Sequence, residues 1–182
     1  QLCDRLGLAY ETIPGVSAFS ACAAAAEVEV TLPEVAQSLI LTRLEGGRTP
    51  MPPKESVREF ARHGTTMALY LSAARNKVLQ DELLAGGYPP QTPVIIGHRV
   101  SWPDQVVLRC RLDELSATMK DHKFWKHTVI LVGPALAATP LVKRSHLYHP
   151  GFRHEFRAAD PDAARALAER GAVVDETRAA RP

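Results

Sequence analysis

Short apolar runs alternate along this chain with segments of helical pattern, and the alternation restricts the folds that it can form. The apolar runs, which have the length of buried strands, are residues 39–42, 66–71, 93–100 and 128–132. The helical segments are residues 55–63, 73–85 and 113–120. Residues 106–112 follow a Trp-Pro-Asp turn and are predicted to pair back on the preceding strand as a hairpin. Alternating strands and helices with one hairpin predict an α/β domain with a mixed sheet.

The first residues differ from this central pattern. Leu2 and Leu6 lie four residues apart and Gly7 follows them, which is typical of the end of a helix. Residues 8–13 are then predicted to form a short linker strand. Because a domain rarely begins with the last turn of a helix, we expect residues 1–13 to be the end of an amino-terminal domain that is otherwise missing.

The composition changes again near the carboxyl end. From residue 158 the sequence is polar and rich in Ala and Arg, and residues 161–170 have the pattern of a short helix. We therefore predict one domain over residues 14–157 and a loosely attached polar tail over residues 158–182.

Composition and charge narrow the classes of function. The formal net charge is +2 and no block of Lys or Arg is present, so we expect no nucleic-acid partner. No apolar run approaches the roughly 20 residues that span a bilayer, so we expect no membrane partner. Three cysteines lie far apart without a CxxC pair, which favours reduced thiols in the cytoplasm. The histidines at 146, 149 and 154 match no zinc signature, so no metal is predicted.

The segment Pro14-Gly15-Val16-Ser17-Ala18 joins the predicted linker strand to an Ala-rich helix. Pro14 fixes its backbone φ, Gly15 permits a tight exit from the strand, and Ser17 is a good N-cap residue. A helix that begins here can approach its neighbours or a ligand closely, because its side chains are small. The segment is either a structural turn or, through the free N–H groups of a helix N-terminus, a site for a polar ligand group.

Two arginines follow the first buried strand, where the ligands of α/β sheets usually bind. Arg43 and Arg48 lie in a loop rich in Gly and Pro that begins at the carboxyl end of that strand. Guanidinium groups in this position suit a substrate that carries carboxylates. The alternative, a solvated loop without a ligand, remains open from these residues alone.

A series of segments resembles the tetrapyrrole methylase family when the segments are taken together and in order. The segments are residues 13–19, 32–43, 48–52, 68–72, 100–104, 130–133, 145–148 and 152–157. Within the family, the Leu-Thr-Arg loop, the Trp-Pro-Asp turn and the Ser-His-Leu-Tyr tail resemble the branch that methylates C11 of precorrin-4 or cobalt-precorrin-4. The resemblance covers about residues 8–157.

The resemblance implies the carboxy-terminal, mixed-sheet domain of a two-domain tetrapyrrole methylase fold. Family members also have an amino-terminal domain with a glycine-rich loop and a Gly-Asp-Pro segment, neither of which this sequence contains. It further implies S-adenosylmethionine as methyl donor, a tetrapyrrole substrate (precorrin-4 or cobalt-precorrin-4) and a homodimer. The two domains normally enclose the donor, so we expect this chain alone to be inactive.

The resemblance also assigns site residues, although it assigns no catalytic one. The residues implied to contact the donor are Ser17, Ala18, Leu71 and Gly133, and those implied to face the tetrapyrrole are Arg43, Arg48 and Met51. Two of them depart from the family pattern, since Ala18 stands where a second Ser is common and Leu71 where many relatives have Met. Two alternatives stay open: a methylase of uroporphyrinogen or another precorrin, and a half-domain that only binds or dimerises.

Overall fold

The structure is a computed structural model that describes residues 1–46, 50–137, 149–153 and 156–169. Its centre is a five-stranded sheet with the spatial order β1-β2-β5-β3-β4. The strands are β1 (Leu39–Arg43), β2 (Thr66–Tyr70), β3 (Pro93–His98), β4 (Val106–Arg111) and β5 (Thr128–Val132). β1 and β2 run parallel, whereas the other neighbouring pairs run antiparallel. The predicted mixed sheet and hairpin are therefore confirmed.

The helices lie where the sequence pattern predicted them, with bounds that differ by up to three residues. They are α1 (Leu2–Arg5), α2 (Ala18–Ala25), α3 (Val57–Ala61), α4 (Asn76–Ala85), α5 (Leu115–Asp121) and α6 (Pro161–Glu169). Short 3₁₀ turns at Ala73–Arg75 and Leu112–Glu114 precede α4 and α5, so the first turn of each predicted helix is of this tighter type. None of the described helices has the length and apolar character needed to cross a membrane.

The predicted linker strand over residues 8–13 is wrong. The segment forms no strand and its apolar side chains are exposed, with Ile13 at 79%. A strand is stable only when a neighbour pairs with its backbone and covers one face, and no described residue does so here. The pattern of apolar residues predicted burial, but the surface that would bury them is not supplied by the described part of the chain.

Two hydrophobic cores lie on opposite faces of the sheet. The larger core joins the sheet to α3, α4 and α5, and its fully buried members include Met67, Leu69, Leu79, Leu115 and Ile130. The smaller core joins the sheet to α2, and its buried members include Cys22, Ala68, Ile95, Leu131 and Leu136. Alternate residues of each central strand serve the two cores, as expected for a sheet that is covered on both faces.

Close packing of α2 on the sheet depends on Gly97 of β3. A Cβ atom at this position would lie 2.5 Å from the Cys22 sulfur and 2.7 Å from a methyl carbon of Val100. The Ala-rich composition of α2 and the missing side chain at Gly97 together allow this approach, which confirms the prediction that the helix packs closely. The position of α2, and of the turn before it, is thereby fixed against the sheet.

We expect Gly97→Ala to lower the free energy of unfolding by about 1–3 kcal/mol, because α2 or β3 must shift to admit the new methyl group. Urea unfolding followed by circular dichroism measures the change. Gly15→Ala is the matched control, since a Cβ atom there meets no atom within 4 Å. Equal unfolding midpoints for the two variants would contradict the packing argument.

Candidate functional site

One edge of the sheet gathers most of the predicted site residues. β1 and β2 are parallel, and their register places Arg43 beside Tyr70, so both strands end at this edge. β5 begins there and β3 ends there, because His98 is opposite Thr128 in their antiparallel pairing. We call the edge formed by Arg43, Tyr70, Thr128 and His98 the carboxyl edge. Ligands of α/β sheets bind at such an edge.

The turn before α2 is attached to this edge by the hydroxyl group of Tyr70. The Tyr70 oxygen accepts a hydrogen bond from the Phe19 N–H at 3.1 Å and lies 2.9 Å from the Ser17 hydroxyl. Ser17 occupies the N-cap position, as predicted, but its side chain caps no N–H of the helix. Tyr70 supplies the acceptor instead. Sequence reasoning missed Tyr70, although its place next to the end of a predicted strand was a usable signal.

Leu71 follows β2 in a conformation that is rare for a leucine. Its φ is +53° and its side chain is 89% exposed. A branched residue in the left-handed region costs free energy, and such strain is concentrated at functional sites. The next residue holds this backbone in place, since the Ser72 hydroxyl donates to the Tyr70 carbonyl at 2.7 Å and accepts from the Leu44 N–H at 2.8 Å. Leu71 is therefore fixed and exposed, and it directly follows the tyrosine that holds the turn.

The turn itself is open to solvent. Val16 is 81% exposed, and a Cβ atom added at Gly15 would meet nothing within 4 Å. Gly15 does not adopt a left-handed φ, so the prediction that it permits a tight exit from a strand is wrong. The open space beside Gly15, the exposed Ala18 and the exposed Leu71 leave room for a bound group along this part of the carboxyl edge.

Gly133 does not lie with the other three residues that the sequence assigned to the donor. Its N–H donates to the Pro93 carbonyl at 3.2 Å, and a Cβ atom there would lie 2.8 Å from the Cα of Thr66. Thr66 is the first residue of β2, at the opposite edge of the sheet from Leu71. β5 runs antiparallel to β2, so the residue after β5 comes back to where β2 starts. The structure thus separates Gly133 from Leu71, and its donor contact stays a prediction without geometric support.

The residues assigned to the tetrapyrrole are placed in part. Arg43 is half-buried at the carboxyl edge, where its Nη1 donates to the Leu44 carbonyl at 3.4 Å. Met51 is half-buried in the following loop. Arg48 lies outside the described residues. Arg43 and Tyr70 are register partners in parallel strands, so their side chains leave the same face of the sheet, which is the α2 face.

Two thiols and the described histidines and carboxylates are the other groups whose chemistry bears on the site. Burial raises the pKa of Cys22 and of Cys110 to about 11, so neither thiol is ionised at neutral pH. No group of three or more His, Cys, Asp or Glu side chains that could hold a metal ion occurs in the described parts of the chain. His146 and His154, two of the three histidines of the carboxy-terminal segment, lie outside those parts.

His98 completes the carboxyl edge on the side of β3. Its ring stacks on Phe124 with a centroid distance of 4.2 Å. Its Nδ1 lies 3.0 Å from the Thr128 hydroxyl oxygen, and that hydroxyl donates to the Lys126 carbonyl, so the histidine Nδ1–H is the donor. Burial lowers the pKa of His98, and the charge of Arg99 lowers it further.

The fold and the sequence together define the class. A sequence profile of the tetrapyrrole (corrin/porphyrin) methylases matches residues 1–116, and this chain belongs to that family. It is 40% identical over 154 residues to a cobalt-precorrin-4 C11-methyltransferase of Methanocaldococcus jannaschii, covering 85% of this chain and 59% of the relative. It is 44% identical over 145 residues to a precorrin-4 C11-methyltransferase of Mycobacterium tuberculosis, covering 80% and 57%.

A solved structure supports the same assignment. The X-ray structure of a cobalt-precorrin-4 methyltransferase, a cobalamin biosynthetic enzyme, superposes with a TM-score of 0.71 at 39% identity. The match covers 75% of this chain and 56% of that one. The mixed sheet is therefore the tetrapyrrole methylase fold, and the chain spans somewhat more than half the length of the relatives that it matches.

The lowered pKa of His98 predicts a pH dependence. The folded protein favours neutral His98, because the pKa of this residue lies below its ordinary value of 6.5. The contribution of His98 to the free energy of unfolding is therefore fully present above pH 6.5 and is lost as the pH falls through the folded-state pKa. We expect His98→Gln to lose less stability than the parent between pH 7.5 and pH 5, as measured by urea unfolding. The exposed His63→Gln is the control. The same pH slope for all three proteins would contradict this expectation.

Proposed function

We propose that this chain is the substrate-binding part of an S-adenosylmethionine-dependent methyltransferase that methylates C11 of precorrin-4 or cobalt-precorrin-4 in cobalamin biosynthesis. The names of the relatives support this proposal, and the observation that carries it is the exposed, left-handed Leu71 beside the turn held by Tyr70. The chain covers 59% of the length of the first relative, so we propose the activity for a protein that also contains the part missing from this match.

In this proposal the donor lies against Ser17, Ala18 and Leu71. The open space at Gly15 and the exposure of Leu71 suit a bound nucleoside, and its contacts would be mainly with backbone and apolar surface. Leu71 in place of Met is compatible with such contacts. Gly133, at the other edge of the sheet, is not included.

The loop of Arg43, Arg48 and Met51 would hold the tetrapyrrole. A half-buried guanidinium at the carboxyl edge can donate charge-assisted hydrogen bonds to the carboxylates of such a substrate. The carboxyl edge would then carry the donor near β2 and the substrate beside β1, close enough for the two ligands to meet.

The chemistry requires little from side chains. S-adenosylmethionine supplies, when bound, a methyl group that is already electrophilic. The protein's own part is to bind both ligands, align the accepting ring carbon and exclude water. The high pKa of the two buried thiols agrees with a reaction that uses no protein nucleophile.

Two other functions fit parts of the observations. A methylase of uroporphyrinogen or of another precorrin would share the fold, but the relatives reported above are named for precorrin-4 and cobalt-precorrin-4. A half-domain that only binds or dimerises would not need a donor site. We further propose a cytoplasmic homodimer, since the three cysteines are free thiols and the family resemblance implies a dimer.

We expect the chain alone to show weak affinity for S-adenosylhomocysteine and no methyl transfer, because only one side of the donor site is present. Isothermal titration calorimetry measures the affinity. A fusion in which the amino-terminal part of the Methanocaldococcus jannaschii relative precedes Gln1 should bind it tightly. Micromolar affinity for the isolated chain would contradict the expectation.

The donor site is tested by Ala18→Leu in this fusion. The larger side chain should fill the space beside the turn and lower the affinity for S-adenosylhomocysteine about tenfold or more, about 1.4 kcal/mol. Thermal stability should change little because Ala18 is exposed. Ala25→Leu, at an exposed position at the other end of α2, is the control. Equal affinities for the two variants would remove the turn from the donor site.

The substrate loop is tested by Arg43→Ala in the same fusion. Removing a desolvated charge-assisted hydrogen bond should weaken tetrapyrrole binding by about 1.5–3 kcal/mol. Affinity for S-adenosylhomocysteine should fall much less, because the donor lies on the β2 side of the edge. Fluorescence titration with uroporphyrin III and calorimetry with the donor analogue give the two affinities, and equal losses would count against a substrate role.

A further inference from the structure

A second cationic group lies at the carboxyl edge, on the side away from Arg43. It consists of Arg99, Trp102, Asp104, Lys126 and His127, whose two cations, Arg99 and Lys126, outnumber the single carboxylate, and we call it the cationic corner. Arg99 directly follows β3 and His127 directly precedes β5, and the Arg99 N–H donates to the His127 carbonyl at 2.8 Å. This hydrogen bond extends the pairing of the two strands by one step beyond the sheet.

The backbone of the corner is strained. Arg99, Ser101 and His127 have φ values of +48°, +71° and +52°. Each of these conformations is unfavourable for a residue with a side chain, and such residues persist only where the surroundings hold them. Here the Ser101 N–H donates to the Gln105 side chain at 3.0 Å and the Gln105 N–H donates to the Trp102 carbonyl at 3.1 Å. The corner is thus a rigid structure rather than an unconstrained surface loop.

The Arg99 side chain is held in a defined position with hydrogen-bonding capacity left over. Its guanidinium carbon lies 5.2 Å from the centre of the Trp102 ring, and its Nη1 donates to the Asp104 carboxylate. A guanidinium has five N–H donors. Among the described residues Asp104 is its hydrogen-bond acceptor, and Nε is buried without one. Asp104 and Trp102 position the group, and because the Arg99 side chain is 33% exposed, its remaining Nη donors are available to an anion, whereas the buried Nε is not.

The corner also offers an exposed aromatic surface. The rings of Trp102 and His127 lie 5.4 Å apart, and Trp102 is 49% exposed. Lys126, next to His127 in the chain, is exposed and adds positive charge. A flat apolar ring beside a cation suits a ligand that combines a conjugated ring with carboxylates.

The corner and Arg43 lie at the same edge of the sheet, on opposite sides of Leu71. β5 is the neighbour of β2 and β3 is the next strand, so His127 lies about one strand spacing and Arg99 about two, roughly 5 and 10 Å at the backbone, beyond Leu71. β1 with Arg43 is the neighbour of β2 on the opposite side. The proposed donor residues therefore lie between two cationic groups along one edge. A tetrapyrrole carries carboxylate side chains around its ring, so one substrate molecule can engage both groups.

We infer that the cationic corner binds a peripheral carboxylate of the tetrapyrrole and that, together with Arg43, it sets the rotation of the ring relative to the methyl donor. This inference rests on the proposed function, and it makes Arg99 a determinant of which ring carbon is methylated. A ring held at one side only could turn and present another carbon. Contacts with Arg43 on one side of the donor residues and with the cationic corner on the other prevent this rotation.

The first test measures binding of uroporphyrin III, a tetrapyrrole with eight carboxylates, to the chain at low ionic strength by fluorescence titration. Arg99→Gly removes the guanidinium and suits the left-handed backbone, so it should weaken binding about tenfold with an unchanged unfolding midpoint. Arg62→Gln, which removes an exposed cation paired with Glu59 on the surface of α3, should change affinity less than twofold. Arg99→Asn also tolerates this backbone and replaces Arg99→Gly if that variant does not fold.

The outcomes separate the corner from the proposed function. Equal affinities of Arg99→Gly and Arg62→Gln for uroporphyrin III, or no binding by the parent chain, would overturn the inference. If the fusion binds S-adenosylhomocysteine and Ala18→Leu weakens that binding while Arg99→Gly leaves the porphyrin affinity unchanged, the inference fails and the proposed function stands. If porphyrin binding depends on Arg99 but the fusion binds no S-adenosylhomocysteine, the corner stands and the proposed methyl transfer fails.

The second test measures which ring carbon is methylated. In the fusion, Arg99→Gly should raise the share of product that is methylated at ring carbons other than C11. Mass spectrometry and NMR resolve these products. If Arg99 had only a structural role, its replacement would lower the rate and leave the distribution of products unchanged. An unaltered pattern would overturn the assignment of ring rotation to Arg99.

Discussion

The parallel pairing of β1 with β2 is the constraint on which the candidate site depends. It brings the carboxyl ends of both strands to one edge, with Arg43 beside Tyr70. The Ser72 hydroxyl then joins the segments that leave β1 and β2 just past this edge, since it accepts a hydrogen bond from the Leu44 N–H and donates one to the Tyr70 carbonyl. Because a buried N–H without an acceptor costs free energy, this small side chain fixes both exits from the sheet. The strained conformation of Leu71 is maintained between them.

The sequence predicted the sheet well because its strands are short apolar runs bounded by turns. β5 was predicted with the bounds that the structure has, and β1 differs by one residue. Residues 8–13 have a similar apolar character and form no strand, since pairing depends on a partner that a local pattern cannot reveal. The family resemblance was confirmed by the profile that matches residues 1–116 and by relatives that are 40% and 44% identical.

The site was predicted less completely, for a reason that lies in chain topology. Ser17 and Tyr70 are 53 residues apart, and nothing local to Ser17 indicates that a tyrosine hydroxyl will take over its capping role. The family resemblance grouped Gly133 with Leu71, but the antiparallel direction of β5 sends the two residues to opposite edges. Arg99 and His127 likewise meet only because β3 and β5 are neighbours. The chemical types of the candidate site residues could be judged from the sequence. Which of them share a site depends on the direction and order of the strands, which the sequence pattern does not reveal.

The contact of α2 with Gly97 makes Cys22 a chemical reporter for the turn before that helix. Its thiol is fully buried between the helix and β3, so an alkylating reagent reaches it only when α2 lifts from the sheet. The labelling rate of this cysteine therefore follows the population of molecules in which the turn has opened. Ligands that close the turn onto the carboxyl edge would slow the labelling, which allows the dynamics of this part of the site to be timed without an added probe.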